Sequence, residues 1–446
     1  MRKIKHALKI ALVNIAILAA LIEVASIATY FFQTGSFFYR NSGNRKLAGL
    51  AIPPSDQASK NEATQQQLHP YFGFVDRVGL SHRFLDSQID HVSNNFGFAS
   101  EHPYPFKRQH PNQFLVGVFG GSVAANYSFF ELEKNILAAQ LKKLPGLANK
   151  EVIVLPFAMG AFKQPQQLIV LSYFLSLGQD FDLVINIDGF NDVALSYINY
   201  KDGLDPSMPC GYIFMPLVAL ATGSNSEAEL QLTLQVIKDR RSLEDSIKSV
   251  ETSRFASGYM LAWLRAKFSQ RRYREDVVKL DQLRTSTKRL GQSLFQIPVQ
   301  AKPTEDQAFE EAVASWAGSS LMMKQILDQR NIPYFQFLQP NQYQPTGRAF
   351  GKDEASIAID GASPFRSPVL KGYPMLLAEV GRLQHKGVHV QSAINVFDSV
   401  KEAVYGDNCC HYNQLGNRIF GEYVAGTIQR ALSKDNQYAL PGSQGQ

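Results

Sequence analysis

The sequence predicts an α/β fold on a parallel sheet, with an N-terminal transmembrane helix ahead of it and a mostly helical insertion inside it. Three observations carry this. Short apolar runs (FLVGVF, VIVLPF, LVINI, YFQFL) alternate with helix-spaced stretches, the pattern of parallel strands buried on both faces. Residues 10–32 form an apolar segment long enough to cross a bilayer. Residues 202–300 interrupt the alternation with charged, helix-patterned sequence. The chain of 446 residues is 45% hydrophobic and 19% charged, which excludes wholesale disorder, collagen-like repeats and a disulfide mini-protein.

Taken in order, residues 1–9 are a basic tail, with Arg2, Lys3, Lys5 and Lys9 preceding any acid. They supply four charges of the net +6, so the basic excess reads as a membrane flank and not as a nucleic-acid footprint. The Ile10–Phe32 segment has a single charge, Glu23. A cleavable signal has an apolar core of roughly 7–15 residues, and Ser26-Ile27-Ala28 only weakly resembles a cleavage site. An uncleaved single-pass anchor in a bacterial inner membrane is therefore expected, with its N-terminus cytoplasmic and the bulk of the chain periplasmic. Glu23 reads either as the mark of a partner helix or as an isolated cost of about 2.5–3.5 kcal/mol, the second being the favoured reading.

Residues 33–68 read as a stalk, polar from Asn41 to Gln67 with Pro53-Pro54, and 69–112 as an aromatic lead-in. The first half of the α/β domain is 113–201. Its strands are Phe114–Phe119, Val152–Phe157 and Leu183–Ile187, and its helices Val123–Leu141 and Gln166–Leu177. The second half is 301–434, with strands at Tyr334–Leu338 and Val388–Val390 and helices at Pro374–Gln384 and Asn413–Leu432; 435–446 is a tail. Within the insertion, Arg265–Arg289 holds nine Lys/Arg and follows the apolar Tyr259–Leu264. It reads as a membrane-surface helix or, more commonly, as a solvated face. Gly211–Ala221 is apolar but too short to span a bilayer, and it contains Pro216.

Four loops carry candidate chemistry. Gly120-Gly121-Ser122 stands between a strand and a helix, where two glycines permit a tight turn and free N–H groups suit an oxyanion. Ser122 as a plain helix N-cap is the competing reading. Neither a G-x-S-x-G elbow nor a phosphate loop fits these residues. Gly160 follows the second strand, and Gly189-Phe190-Asn191-Asp192 the third. Asp407-Asn408-Cys409-Cys410-His411 precedes the last helix. In a parallel sheet such loops share the edge where ligands bind. An acid just before a histidine at that edge can orient it as a general base for Ser122.

Together these residues resemble the SGNH, or GDSL-like, hydrolases. Ser122, Gly160, Asn191 and His411 stand in the family's first, second, third and fifth blocks. GGS in place of GDS, QPQQL after Gly160 and the CHYNQLGN ending resemble its bacterial membrane-anchored GGS-type subgroup. The resemblance covers about 114–198 and 334–432. It implies a flavodoxin-like three-layer sandwich with strand order 2-1-3-4-5. Ser122 would be the nucleophile, His411 the base, and Ser122, Gly160 and Asn191 the oxyanion hole. The family's acid lies three residues before the histidine. Asn408 holds that position here, so either Asp407 reaches His411 through a bulge or Asn408 assists a Ser–His dyad.

The implied function is an extracytoplasmic serine esterase or O-acyltransferase on acyl esters of cell-envelope or exported polysaccharide, with no cofactor and no nucleic-acid partner. A lysophospholipase or thioesterase, supported by Gly211–Ala221 and Arg265–Arg289, and a non-catalytic assembly subunit are the alternatives. Three cysteines leave an odd thiol in an oxidising compartment. A bridge from Cys210 to Cys409 or Cys410 is geometrically possible because their loops start from one edge, three unpaired small hydrophobes being the competing reading, whereas no metal site is expected without CxxC spacing.

Overall fold

β5 (Gln113–Gly120) is buried along its whole length, and so is β7 (Leu183–Asp188). Such strands find partners on both sides, and the sheet order in this computed structural model is β6-β5-β7-β8-β9. The other strands are β6 (Glu151–Ala158), β8 (Tyr334–Leu338) and β9 (His389–Ser392), and every pairing is parallel. The order is the expected 2-1-3-4-5. The structure describes residues 2–40, 50, 65–83, 90–222, 227–291 and 303–434. Most of the expected stalk (41–49 and 51–64) and the tail 435–446 lie outside the described residues.

Register decides which loops meet. Gly120 pairs with Ala158 and with Ile187, and Ile187 with Phe337. The carboxyl ends of β5, β6, β7 and β8 are therefore level. The segments that follow them, 121–122, 159–165, 189–191 and 339–343, all leave from one edge.

The chain divides into two units: Pro54–Val218 with Ile297–Gln446, and Met1–Pro53 with Ala219–Gln296. In the sheet unit, β5 leads into α2 (Ser122–Lys134). The single helix expected over Val123–Leu141 breaks at Asn135, whose φ of 56° is a left-handed conformation that asparagine tolerates. α3 (Ile136–Leu141) restarts there, and the Glu131 carboxylate accepts from the Leu137 N–H at 2.7 Å. Next come α4 (Gln166–Ser176) and α5 (Phe190–Lys201). α6 (Gly211–Thr222) follows, with Ile213 and Leu217 buried in the sheet unit's core. That burial keeps residues 202–218 with the sheet, so the separate unit begins at Ala219 and not at Asp202.

Two further differences have clear causes. The helix expected from Pro374 runs from Arg366 to His385 (α11), with Pro374 inside it. Val369, Tyr373 and Leu376 are fully buried, and that packing outweighs an internal proline's cost of about 3 kcal/mol. α9 (Glu305–Asp328) lies in a stretch given no element from sequence, although Thr304 and Gln307 form a legible capping box at its start. Two short hairpins precede the sheet, β1 (Gln66–His69) with β2 (Gly73–Asp76) and β3 (Ser81–Arg83) with β4 (Asp90–Val92), and β1 begins inside the last residues of the expected stalk. α10 (Lys352–Ala358) and α12 (Gln414–Lys434) complete this unit.

The second unit pairs α1 (Arg2–Thr34) with a hairpin of α7 (Glu227–Thr252) and α8 (Ala256–Gly291). Arg272 meets Asp239 at 3.3 Å and Ser269 meets Ser242 at 3.2 Å, so α7 and α8 run antiparallel. Val13–Thr34 of α1 is long and apolar enough to cross a membrane. Glu23 is not isolated in it: its carboxylate accepts from the N–H groups of Ala256 and Ser257, which corrects the favoured sequence reading.

Candidate active site

Gly120 and Gly121 make the first loop for different reasons. Gly120 has φ of +140°, and a Cβ there would lie 2.1 Å from the Ile187 carbonyl oxygen. A Cβ on Gly121 would lie 2.2 Å from Asn191 Nδ2, so this glycine leaves room for the Asn191 amide. Gly121 is the N-cap of α2 and Ser122 its first residue, which removes the capping reading of Ser122. The Ser122 hydroxyl turns instead to His411, with Oγ 2.7 Å from Nε2.

The other ring nitrogen, His411 Nδ1, lies 2.5 Å from Asp407 Oδ2. Asp407 reaches it because its second oxygen, Oδ1, accepts from the N–H groups of Cys409 (2.9 Å), Cys410 (3.0 Å) and His411 (3.2 Å). Those bonds curl the loop into the bulge that a four-residue spacing requires. Burial would raise the Asp407 pKa, but the adjacent His411 ring and these hydrogen bonds bring it down to about 2. Asn408 faces elsewhere: its side-chain amide donates to Asp360 at 3.3 Å.

The remaining sequence-predicted residues converge on the same loops. Asn191 Nδ2 donates to the Phe162 carbonyl at 2.8 Å, which ties the third loop to the second. An amide nitrogen carries two hydrogens, so one N–H is left for a ligand. The Met159 N–H donates to the Gly120 carbonyl at 3.2 Å, which ties the second loop to the first. Gly160 lies between Met159 and Phe162, and the face where its Cβ would stand is open. No protein-family model matches this chain, and no curated protein matches it either.

Asp188 and Asp192 do different work. Asp192 accepts from the N–H groups of Gly189 (2.9 Å) and Gln164 (2.8 Å), clamping the third loop to the second. Asp188 accepts from Trp316 Nε1 at 2.8 Å and from the Gln336 and Asn186 amides. Burial, then the Asp192 charge, pushes its pKa up to about 8.

Sequence reasoning missed the segment that carries the histidine loop. Asn341 donates to the Cys409 carbonyl (3.0 Å), Gln342 to that of Asp407 (3.1 Å) and Tyr343 to that of Asn408 (2.8 Å). The available signal was a polar run, QPNQY, directly after an apolar strand. The same loop is anchored from beyond by Glu354, which accepts from the N–H groups of Val404 and Tyr405 and pairs with the buried Arg348.

The possible disulfide is not formed: Cys210, Cys409 and Cys410 make no S–S bond. Cys210 and Cys410 are buried and Cys409 is partly exposed. Cys409 and Cys410 face each other, Sγ to Sγ at 3.5 Å. With His411 they place three donor atoms within 4.8 Å of one another, close enough to share a cation. His411 Nε2 already meets Ser122 and Nδ1 meets Asp407, so a cation bound through either nitrogen would compete with that chain.

Proposed function

We propose that this chain is a membrane-anchored serine esterase or O-acyltransferase of the SGNH type, with the flavodoxin-like sandwich of that family. The observation that carries the reading is the Ser122–His411–Asp407 hydrogen-bonded chain beside the Asn191 amide. His411 takes the Ser122 proton as Oγ attacks an ester carbonyl, and Asp407 holds the ring and balances its charge. The oxyanion is met by the N–H groups of Ser122 and Gly160 and by the Asn191 amide. The protonated His411 gives its proton to the leaving alcohol as the ester bond breaks. A water or a sugar hydroxyl, deprotonated by His411, then takes the acyl group from Ser122. No step requires a cofactor.

Helix α1 supports an inner-membrane anchor with the sheet unit in the periplasm, where acylated envelope or exported polysaccharide is the reading's substrate. Support for the lipid-directed alternative narrows, because Ile213 and Leu217 of the apolar Gly211–Ala221 are core residues. A fluorophosphonate probe tests the reading: it should label wild type and not Ser122→Ala. An unlabelled wild type would favour a non-catalytic subunit. Acyl release from acetylated polysaccharide, with and without a sugar acceptor, separates esterase from transferase.

A further inference from the structure

Glu23 is the one acid of α1, and it caps another helix. Its carboxylate accepts from the Ala256 N–H (2.6 Å), the Ser257 N–H (2.9 Å), the Ser257 hydroxyl (2.5 Å) and the Tyr39 hydroxyl. Ala256 and Ser257 open α8, so the acid meets the helix end that carries free N–H groups and positive dipole charge. Beyond this point the two helices run in the same sense. Tyr259 packs on Tyr30 with ring centroids 4.9 Å apart, and Phe38 closes on Tyr30 at 5.1 Å. The first turns of α8 therefore lie beside the outer half of the apolar span of α1.

Those turns are unusually apolar on their free side. Phe255 is 65% exposed and Phe268 64%, and Leu261 and Leu264 are more than half exposed. Leu261, Leu264 and Phe268 follow i, i+3, i+7 spacing and so form one stripe. A contiguous stripe of this kind marks an interaction surface, unlike a scattered exposed leucine. Between α7 and α8 runs an open groove of about 690 Å³, where Lys238, Arg241 and Arg265 outnumber Asp245 and Leu261 joins the groove to the stripe. At 1.5 Å per residue, Arg265 lies roughly 13 Å farther along α8 than Ala256. That spacing suits an apolar tip in acyl chains with cations at headgroup level.

We propose that the α7–α8 hairpin is a second membrane contact, seated in the outer leaflet beside α1. Leu261 and Leu264 face acyl chains, Phe268 sits at the interface about one turn beyond Arg265, and the Lys238–Arg241–Arg265 groove takes an anionic phospholipid headgroup. The proposal rests on α1 crossing the membrane. It replaces an unpaired acid in the span with a helix cap that holds the hairpin at a set depth.

Trp263 of α8 is one of two tryptophans and reports on this. The full chain is reconstituted in nanodiscs containing phosphatidylglycerol, with bromine on shallow acyl carbons, and the Trp263→Phe signal is subtracted. The difference signal should fall about twofold or more, and recover when Leu261, Leu264 and Phe268 are together replaced by serine. Lys238, Arg241 and Arg265 all changed to Gln should remove any excess quenching over phosphatidylcholine discs. Absence of quenching overturns the proposal, and so does a dimer by light scattering whose Trp263 is unquenched. Alkaline carbonate extraction separates the two failures. Protein that washes off has no spanning α1, and the proposal falls with that reading. Protein that stays but is unquenched sinks the hairpin contact alone.

Discussion

Ser122 Oγ lies 2.7 Å from His411 Nε2, although 289 positions of chain separate the two residues. The contact exists only when β5 and the loop before α12 have reached the same sheet edge. It joins a hydroxyl at the start of a helix to a ring held from behind by Asp407.

Ser122→Ala should abolish hydrolysis of p-nitrophenyl acetate while leaving stability within about 1 kcal/mol, because Gly121 and not Ser122 caps α2. Turnover in the purified variant above the buffer rate would show that another group is the nucleophile.

Asp407→Asn should lower kcat by about 10³–10⁴, since an amide at Nδ1 favours the wrong tautomer of the ring. Asn408→Ala should change kcat by no more than a few fold, because its side chain points to Asp360. Equal losses in the two variants would return the orienting role to Asn408.

Gly121→Ala puts a methyl where Asn191 Nδ2 now sits, 2.2 Å from the added carbon. Displacing one oxyanion donor costs about 10²–10³ in turnover, so kcat should fall that far with KM nearly unchanged. Asn191→Ala should give a loss of similar size. A fully active Gly121→Ala enzyme would remove Asn191 from the oxyanion hole.

Asp407 also sets an acid limit on stability. Its folded pKa of about 2 lies below its ordinary 3.8, so its carboxylate stabilises the fold above pH 4 and ceases to as pH falls through 2. The full effect is about 2 kcal/mol. Urea unfolding of wild type and Asp407→Asn from pH 5 to pH 2 should show the wild-type advantage shrinking across that range. A constant gap would mean that ionisation of Asp407 is not its source.

Much of the site was legible because its parts sit at strand ends. The runs FLVGVF, VIVLPF and LVINI are apolar throughout, and each of these strands is almost wholly buried. Glycine, serine and asparagine directly after such runs stand out. Where local signals were overridden, tertiary packing was the cause. Pro374 reads as a helix start, yet burial of Val369 and Tyr373 carries the helix through it. Glu23 reads as an isolated charge because nothing within α1 indicates that the start of α8 is its partner.

Sequence alone determined the alternation of strands and helices, the apolar span and the residue types at each loop, since periodicity and turn chemistry are local properties. Only the tertiary structure put the Asp407 carboxylate against the His411 ring and the Asn408 amide against Asp360, left Cys210 without a disulfide to Cys409 or Cys410, and brought Asn341, Gln342 and Tyr343 under the histidine loop. Those outcomes depend on side-chain directions and on hydrogen bonds between segments far apart in the chain. Spacing along a sequence does not record the direction in which a side chain leaves a loop.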